Sequence, residues 1–453
     1  MKRVLIIGGS DVGITAGLRI CELDSEADVS VLSGNTYPNF SICGIPFFLG
    51  GEIADYQDLA HRTADEIRAS GLKLYLGAEV RTIDPKARKV VFIDSEGEKT
   101  SLGYDKLVIG TGGKSALPNI PGLDLPGVFT LRWINEARRI DRFIKETAPR
   151  EAVIVGGGYI GLEMTEALIR RGIKVKLLEF LDQILPTVDK EFAEIVRTGL
   201  ENRGAEIFTR NKVERISEKA DGLEVLTGNG KAFAAEMILV ATGAVPESSL
   251  GQSIGVEIGV KGTLKVNRKM ETNIEDVYAG GDCVESLHAI TKQPVYIALG
   301  TTAHKHGRII GENICGLESK YPGTLGTQSL KLFDMVIART GLNDREAAEA
   351  GFEPYTHSFE TWDHKQYYPP AHKLNIRFTA DKNTQRLLGC QIIGPLQAEV
   401  SKRIDIIAVA LQQGLGVSEF VMLDLSYTPP LSSPWDPVQM AAAAWLNVNS
   451  GKS

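Results

Sequence analysis

AVIVGGGYIG, residues 152–161, decides the fold of this chain. Its first four residues form a continuous apolar run of strand length, and Gly156 to Gly161 make a complete G-x-G-x-x-G. A helical pattern then runs from about Tyr159 to Arg171, and a second strand, Lys174 to Leu178, ends in Glu179, roughly 20 residues after the turn. Strand, glycine turn, helix and strand make a βαβ unit whose helix start offers free N–H groups to a pyrophosphate. Gly156, Gly158, Tyr159, Ile160 and Gly161 are therefore expected against a dinucleotide. The carboxylate of Glu179 would accept hydrogen bonds from both ribose hydroxyls and repel a 2′-phosphate. No Arg follows in Phe180-Leu181-Asp182 to hold such a phosphate. NADH is expected over NADPH.

The chain begins with a second, less regular version of the same unit. Arg3 to Ile7 is an apolar run, followed by Gly8, Gly9, Ser10, Asp11, Val12 and Gly13 and a helical pattern through Leu23. Gly8 permits the sharp turn and Gly13 lets helix and strand pack closely. Ser10 stands where the middle glycine belongs. The second strand, Asp28 to Leu32, ends at Ser33, a weaker ribose partner than a carboxylate. Two further strand-plus-turn segments, Lys106 to Gly113 (KLVIGTGG) and Met237 to Pro246 (MILVATGAVP), each end in Thr-Gly, as where chain passes between dinucleotide domains. Thr111, Gly112 and Gly243 lie in these crossovers. In Val277 to Asp282 (VYAGGD), Asp282 suits a ribityl hydroxyl or a helix cap. Gln293 to Glu312 reads as a helix entered through Leu299, Gly300, Thr301 and Thr302, its dipole facing a reduced flavin.

Between the first unit and these crossovers lies Tyr37 to Gly51, YPNFSICGIPFFLGG, with Cys43 followed by Gly44 and Pro46. A lone Cys reads either as a buried small hydrophobe or as a sulfur beside a flavin. The five cysteines are scattered, with no CxxC or CxxxxC. That disfavours a disulfide framework or zinc site and fits a reducing cytoplasm. MKRVLIIGG is too short for a signal peptide and leads directly into the glycine turn. No apolar run reaches the roughly 18 residues of a membrane span. A net charge of −7 without a dense Lys/Arg tract argues against nucleic acid or an anionic membrane as partner.

From about Gly323 the pattern changes to alternating stretches, Ser329 to Arg339, Lys373 to Thr379 and Leu387 to Ile393, then an apolar-striped helix, Ala398 to Gln413. The region carries Tyr367-Tyr368-Pro369 and Tyr427-Thr428-Pro429-Pro430. His304, His306, His364 and His372 lack metal-type spacing and read as surface or packing residues.

Two dinucleotide turns, two Thr-Gly crossovers, the GGD motif and an α+β C-terminal third together resemble the pyridine nucleotide–disulfide oxidoreductase superfamily over essentially the whole chain. The resemblance implies an α/β fold of two Rossmann-like domains, the NAD domain inserted in the FAD domain, plus an α+β C-terminal dimerisation domain. The implied boundaries are 1–113 and 247–322 for FAD, 114–246 for NAD and 323–453 for the interface. It implies FAD and NAD(P)H as cofactors, with NADH the one that Glu179 favours, and a homodimer. Gly8, Gly9, Ser10, Gly13, Ser33, Val80, Thr111, Gly112, Gly243, Asp282, Leu299, Gly300 and Thr301 would join the second glycine turn in cofactor binding.

Phe48 sits where the second sulfur of a CxxxxC pair would be, so Phe40-Ser41-Ile42-Cys43-Gly44 is similar to the single-cysteine branch. That branch holds coenzyme A disulfide reductases, NADH oxidases, NADH peroxidases and persulfide reductases. Cys43 would then be the redox sulfur, its thiol pKa lowered below about 8.5 by the helix start at Cys43-Gly44. Tyr159 would gate the flavin, and Tyr427 and Tyr368 would give protons to the leaving thiolate across the dimer interface. The expected substrate is a small disulfide, persulfide or polysulfide. The alternatives are an oxidase or peroxidase cycling through a Cys43 sulfenate, or an electron-transfer flavoprotein serving a carrier protein.

This chain departs from the branch in three places. Ile42 replaces the Asn of the coenzyme A enzymes, and Cys21-Glu22 replaces their basic pair, which speaks against coenzyme A. Asp11 replaces the His of the peroxidases; a carboxylate there would raise the thiol pKa, which speaks against a dedicated peroxidase.

Overall fold

The computed structural model describes residues 2–451. The chain divides into two compact units, one of Met1–Pro149, Glu236–Leu287 and Gln293–Thr324, the other of Arg150–Ala235, His288–Lys292 and Leu325–Ser453.

The first unit is built on a five-stranded parallel sheet in the order Val277–Ala279, Lys106–Ile109, Arg3–Ile7, Asp28–Ser33, Lys73–Leu76. Both faces are covered, which explains why its strands read as unbroken apolar runs. Val4 and Ile6 face a cluster shared with helices Asp11–Leu23 and Gly300–Ile314. Leu5 and Ile7, one residue out of phase, face the other cluster with Ile83, Val90 and Phe92 of an antiparallel sheet, Glu79–Asp84, Lys89–Ile93 and Lys99–Gly103.

The second unit repeats the parallel motif with Glu151–Val155, Lys174–Leu178 and Glu206–Phe208, and carries helix Tyr159–Arg170 between the first two. It also holds a five-stranded antiparallel sheet in the order Gln328–Leu332, Met335–Gly341, Leu387–Pro395, Lys373–Asp381, Pro354–Trp362. Helices Val400–Gln413 and Pro437–Asn449 close its core, where Trp445 is fully buried and donates its indole N–H to the Tyr355 carbonyl at 2.8 Å.

Three expectations change. The helix expected from Gln293 starts at Gly300, because Pro294–Val295 pairs antiparallel with Ser286–Leu287 and Leu299 is still extended. The stretch Ser329 to Arg339 is two strands of a hairpin, turned at Phe333, whose φ is +58°. Pro354–Trp362 was not anticipated and forms the far edge of the sheet. No helix among the described residues is long and apolar enough to cross a membrane.

Candidate active site

The two glycine turns are built alike. Gly8 and Gly156 take left-handed φ of +118° and +111°, and their N–H groups donate at 2.8 Å to Leu32 and Leu178 on the neighbouring strands. A Cβ at Gly13 would lie 1.8 Å from the Gly8 carbonyl oxygen; one at Gly161 would lie 1.9 Å from that of Gly156. Helix and turn therefore touch backbone to backbone. Ser10 and Gly158 precede their helices with φ of −109° and −81°, and neither helix start has a side-chain cap. A serine thus fits the middle position, which needs no left-handed backbone, and the helix-start N–H groups are left for an anion. Both turns fit a dinucleotide.

The strand ends differ. Ser33 is buried and gives its hydroxyl proton to the Asn35 carbonyl at 2.9 Å, with the β-carbon position of Gly9 pressed against its side chain. Glu179, equally buried, accepts the N–H of Gly157 at 2.6 Å and of Leu181 at 2.7 Å. Tyr159 opens the helix of the second turn, and Thr187 donates to its hydroxyl at 3.5 Å. One turn on, burial and the neighbouring Glu166 push the Glu163 carboxyl up to about 7.

In the first unit, Thr111 donates to the Glu247 carbonyl at 2.5 Å, and Gly112 and Gly243 take left-handed φ. Asp282 lies inside a short turn, Gly281–Cys283, without capping a helix; it pairs with Arg132 at 2.5 Å. Arg132 also donates to the Gly113 carbonyl at 2.8 Å, a brace that the sequence did not reveal. The Tyr296 hydroxyl, near Asp282, is buried without a partner and its pKa is pushed up to about 12 by burial. Val80 is half-buried in its strand, and Leu299, Gly300 and Thr301 form an uncapped helix entrance. An orphan hydroxyl, an acid and free helix-start N–H groups in one unit suit FAD.

Cys43 is the only exposed thiol among the described residues; Cys283 and Cys390 are buried and Cys21 and Cys315 partly so. It lies in a single 3-10 turn, Ile42–Gly44, ahead of the five-residue helix Ile45–Leu49, so the helix start expected at Cys43-Gly44 falls at Ile45 instead. The segment is braced by rings: Tyr37 meets Phe40 and Tyr56 edge-on at 5.4 and 5.7 Å, and Phe48, buried, meets Tyr56 at 6.2 Å. Arg138 lies 4.9 Å over Tyr56 and donates to the Tyr37 hydroxyl at 2.5 Å.

Asp11 opens its helix with Oδ1 3.5 Å from Nε2 of His304, whose Nδ1 meets the Thr15 hydroxyl at 2.9 Å. Burial raises its pKa, with His304 and His61 opposing. His304 faces His61 at 6.3 Å, and both line a cavity of about 720 Å³ with Arg19, Arg62 and Arg308, offset by Glu22 and Glu66. Buried Asn39 lines it too, its amide nitrogen lacking a partner. The cations come from three separate elements, so only Arg19, one turn before Cys21-Glu22, could have signalled this cavity from sequence. His306 is a packing residue as expected: burial lowers its pKa to about 3, and it meets Tyr321 edge-on at 4.5 Å.

In the second unit, Tyr427 and Tyr367 are both exposed, and the influence of the Tyr427 side chain raises the Tyr367 pKa. Tyr368 contributes its carbonyl, which receives His364 Nε2 at 2.9 Å. His364 and His372 are not surface residues: both flank the buried carboxylate of Asp363.

The family pattern described as pyridine nucleotide-disulphide oxidoreductase matches residues 2–307, and that of its dimerisation domain matches residues 327–437. The chain is 35% identical over 443 residues to the NAD(P)H sulfur oxidoreductase (CoA-dependent) of Pyrococcus furiosus, covering 97% of this chain and 98% of the relative. It superposes on the NAD-dependent persulfide reductase from A. fulgidus with a TM-score of 0.95 at 34% identity, covering 99% of this chain and 84% of the other. Reduced Bacillus anthracis CoADR-RHD gives a TM-score of 0.96 at 33% identity, covering 99% and 81%.

Proposed function

This chain belongs to the pyridine nucleotide-disulphide oxidoreductase family, and we propose that it reduces a small disulfide, persulfide or polysulfide with NADH through Cys43. The observation that carries this reading is the exposed thiol of Cys43, held in a turn whose second-sulfur position is a buried phenylalanine. Bound FAD supplies a hydride acceptor for NADH and a two-electron donor to sulfur.

The chain's residues would do the rest. Glu179 holds the NADH ribose and disfavours a 2′-phosphate. The Cys43 thiolate attacks one sulfur of the acceptor; the other leaves with the bonding pair and takes a proton. Two electrons then cleave the mixed disulfide on Cys43 and release the second thiol. The balance is NADH + H⁺ + RSSR giving NAD⁺ + 2 RSH. Tyr427 is the proposed proton donor to the leaving sulfur. Of the neighbouring pair, Tyr367 is the one whose pKa Tyr427 raises, whereas the Tyr368 carbonyl meets His364.

The protein works in this reading as a homodimer in which the tyrosines of one subunit serve Cys43 of the other. The dimerisation-domain match supports it, as do exposed Leu396, Met422, Leu431 and Trp435 in the second unit. Five scattered cysteines, with no disulfide among the described residues, suit a reducing cytoplasm.

The acceptor is the disulfide or persulfide of a thiol compound bearing phosphate groups, coenzyme A being the example that the relative's name supplies. A cavity of about 720 Å³ with three arginines accommodates a nucleotide-sized anion, despite Glu22 and Ile42. The test is anaerobic turnover of the FAD-loaded enzyme with NADH and a panel of coenzyme A disulfide, glutathione disulfide, cystine and polysulfide. The expected result is a kcat/KM for coenzyme A disulfide at least about tenfold above glutathione disulfide. Oxygen consumption that outpaces every sulfur acceptor would favour the oxidase alternative.

A further inference from the structure

We propose that His364 is a positioning residue that pins the segment carrying Tyr367 and Tyr368, by bridging the buried Asp363 carboxylate and the Tyr368 carbonyl. The proposal rests on the reading of Tyr427 as proton donor with Tyr367 beside it, and adds the device that aims Tyr367.

Asp363 is buried, and its carboxylate accepts the His372 backbone N–H at 2.8 Å and meets His372 Nδ1 at 3.1 Å, with His364 Nδ1 lying 2.8 Å away. The second nitrogen of His364, Nε2, lies 2.9 Å from the Tyr368 carbonyl oxygen. The ring thus faces the acid through one nitrogen and the loop through the other. The His364 side chain is 9% exposed, while its bond to the Tyr368 carbonyl lies at the surface.

The same cluster reaches the second tyrosine segment. The Tyr368 N–H donates to the Lys365 carbonyl at 2.8 Å, closing a turn, and the Lys365 N–H donates to the Pro429 carbonyl at 3.3 Å. Arg403, buried and paired with Asp436 at 3.4 Å, donates from one nitrogen to the Asp363 carbonyl at 2.6 Å and the Leu431 carbonyl at 3.4 Å. Two loops that carry exposed tyrosines are thus fastened underneath to one cluster. Tyr367 is 71% exposed, so little packing holds its ring, and its direction is set by the backbone that His364 holds.

A merely structural role would have His364 neutralise Asp363 and nothing more. Two near-isosteric variants separate the roles. The amide of His364→Asn falls near Nδ1 and keeps a donor for Asp363; that of His364→Gln falls near Nε2 and keeps a donor for Tyr368. Positioning predicts that H364N, not H364Q, raises deuterium uptake of peptides covering 363–372 in the FAD-loaded enzyme. It also predicts that H364N slows reoxidation of the NADH-reduced enzyme by disulfide about tenfold or more, while flavin reduction by NADH stays within about twofold. H364Q stays within about threefold of the parent in both half-reactions. Exchange in H364N no faster than in H364Q, or H364Q the slower of the two in reoxidation, overturns the proposal. A parent enzyme that no disulfide or polysulfide reoxidises would sink the functional reading, and the exchange comparison would still decide the anchoring.

Discussion

The carboxylate of Glu179 accepts the backbone N–H of Gly157 at 2.6 Å, so the acid at the end of the second strand is fastened to the glycine turn that it serves. One oxygen holds the turn and the other holds the Leu181 N–H. Glu179→Ala should therefore act twice. It leaves two N–H donors unmet, costing about 1–3 kcal/mol in urea unfolding, and it removes the charge that repels a 2′-phosphate. The ratio of kcat/KM for NADPH over NADH should rise about tenfold. An unchanged ratio would show that nucleotide choice is set elsewhere.

Glu163 gives the clearest pH dependence. Its folded-state pKa of about 7 lies above the usual 4.5, so the folded chain holds a proton that the unfolded chain releases. Stability is complete below the unfolded value and falls as pH rises through about 7, by at most about 3 kcal/mol. Glu163→Gln should leave the thermal midpoint near that of the parent at pH 5 and raise it at pH 8. A variant less stable than the parent at pH 8 would mean that the charged carboxylate has a favourable partner.

Tyr427→Phe and Tyr367→Phe should each slow disulfide reduction by about tenfold or more without slowing flavin reduction by NADH. Tyr368→Phe should stay within about twofold, since its carbonyl remains. Mixing Cys43→Ser subunits with Tyr427→Phe subunits should restore turnover if the two residues act across a dimer. Failure of mixed dimers to regain activity would place the tyrosine and the sulfur in one subunit.

Arg62→Gln removes a cation from the cavity wall. KM for coenzyme A disulfide should rise about five- to thirtyfold, while KM for cystine, which lacks phosphates, stays constant. Added salt should narrow the difference between parent and variant. Equal effects on both substrates would remove the cavity from the substrate path.

The glycine turns were legible because each rests on a local backbone rule: Gly8 and Gly156 need left-handed φ, and Gly13 and Gly161 have no room for a Cβ. Strands buried on both faces announced themselves as apolar runs for the same reason. What the sequence hid was assembled from distant segments. Arg132 lies 150 residues from Asp282, and Arg403 lies 40 from the Asp363 carbonyl that it holds. Arg308 meets Arg19 because the first helix packs on Gly300–Ile314, and Arg62 reaches the same cavity from the segment after Tyr56–Leu59. The hairpin at Phe333 carries no glycine or proline at its tip, so nothing marked the turn. Asp363-His364 read as ordinary polar residues because burial, which gives them their role, leaves no trace in spacing.

The central claim, that Cys43 exchanges electrons with the flavin and the acceptor, is tested most directly by anaerobic NADH titration of the FAD-loaded parent and of Cys43→Ser. The parent should develop a long-wavelength thiolate–flavin band and then reduce disulfide. Cys43→Ser should take up electrons from NADH, show no such band, and lose disulfide turnover by about a thousandfold or more. Turnover of disulfide by Cys43→Ser at the parent's rate would contradict the account.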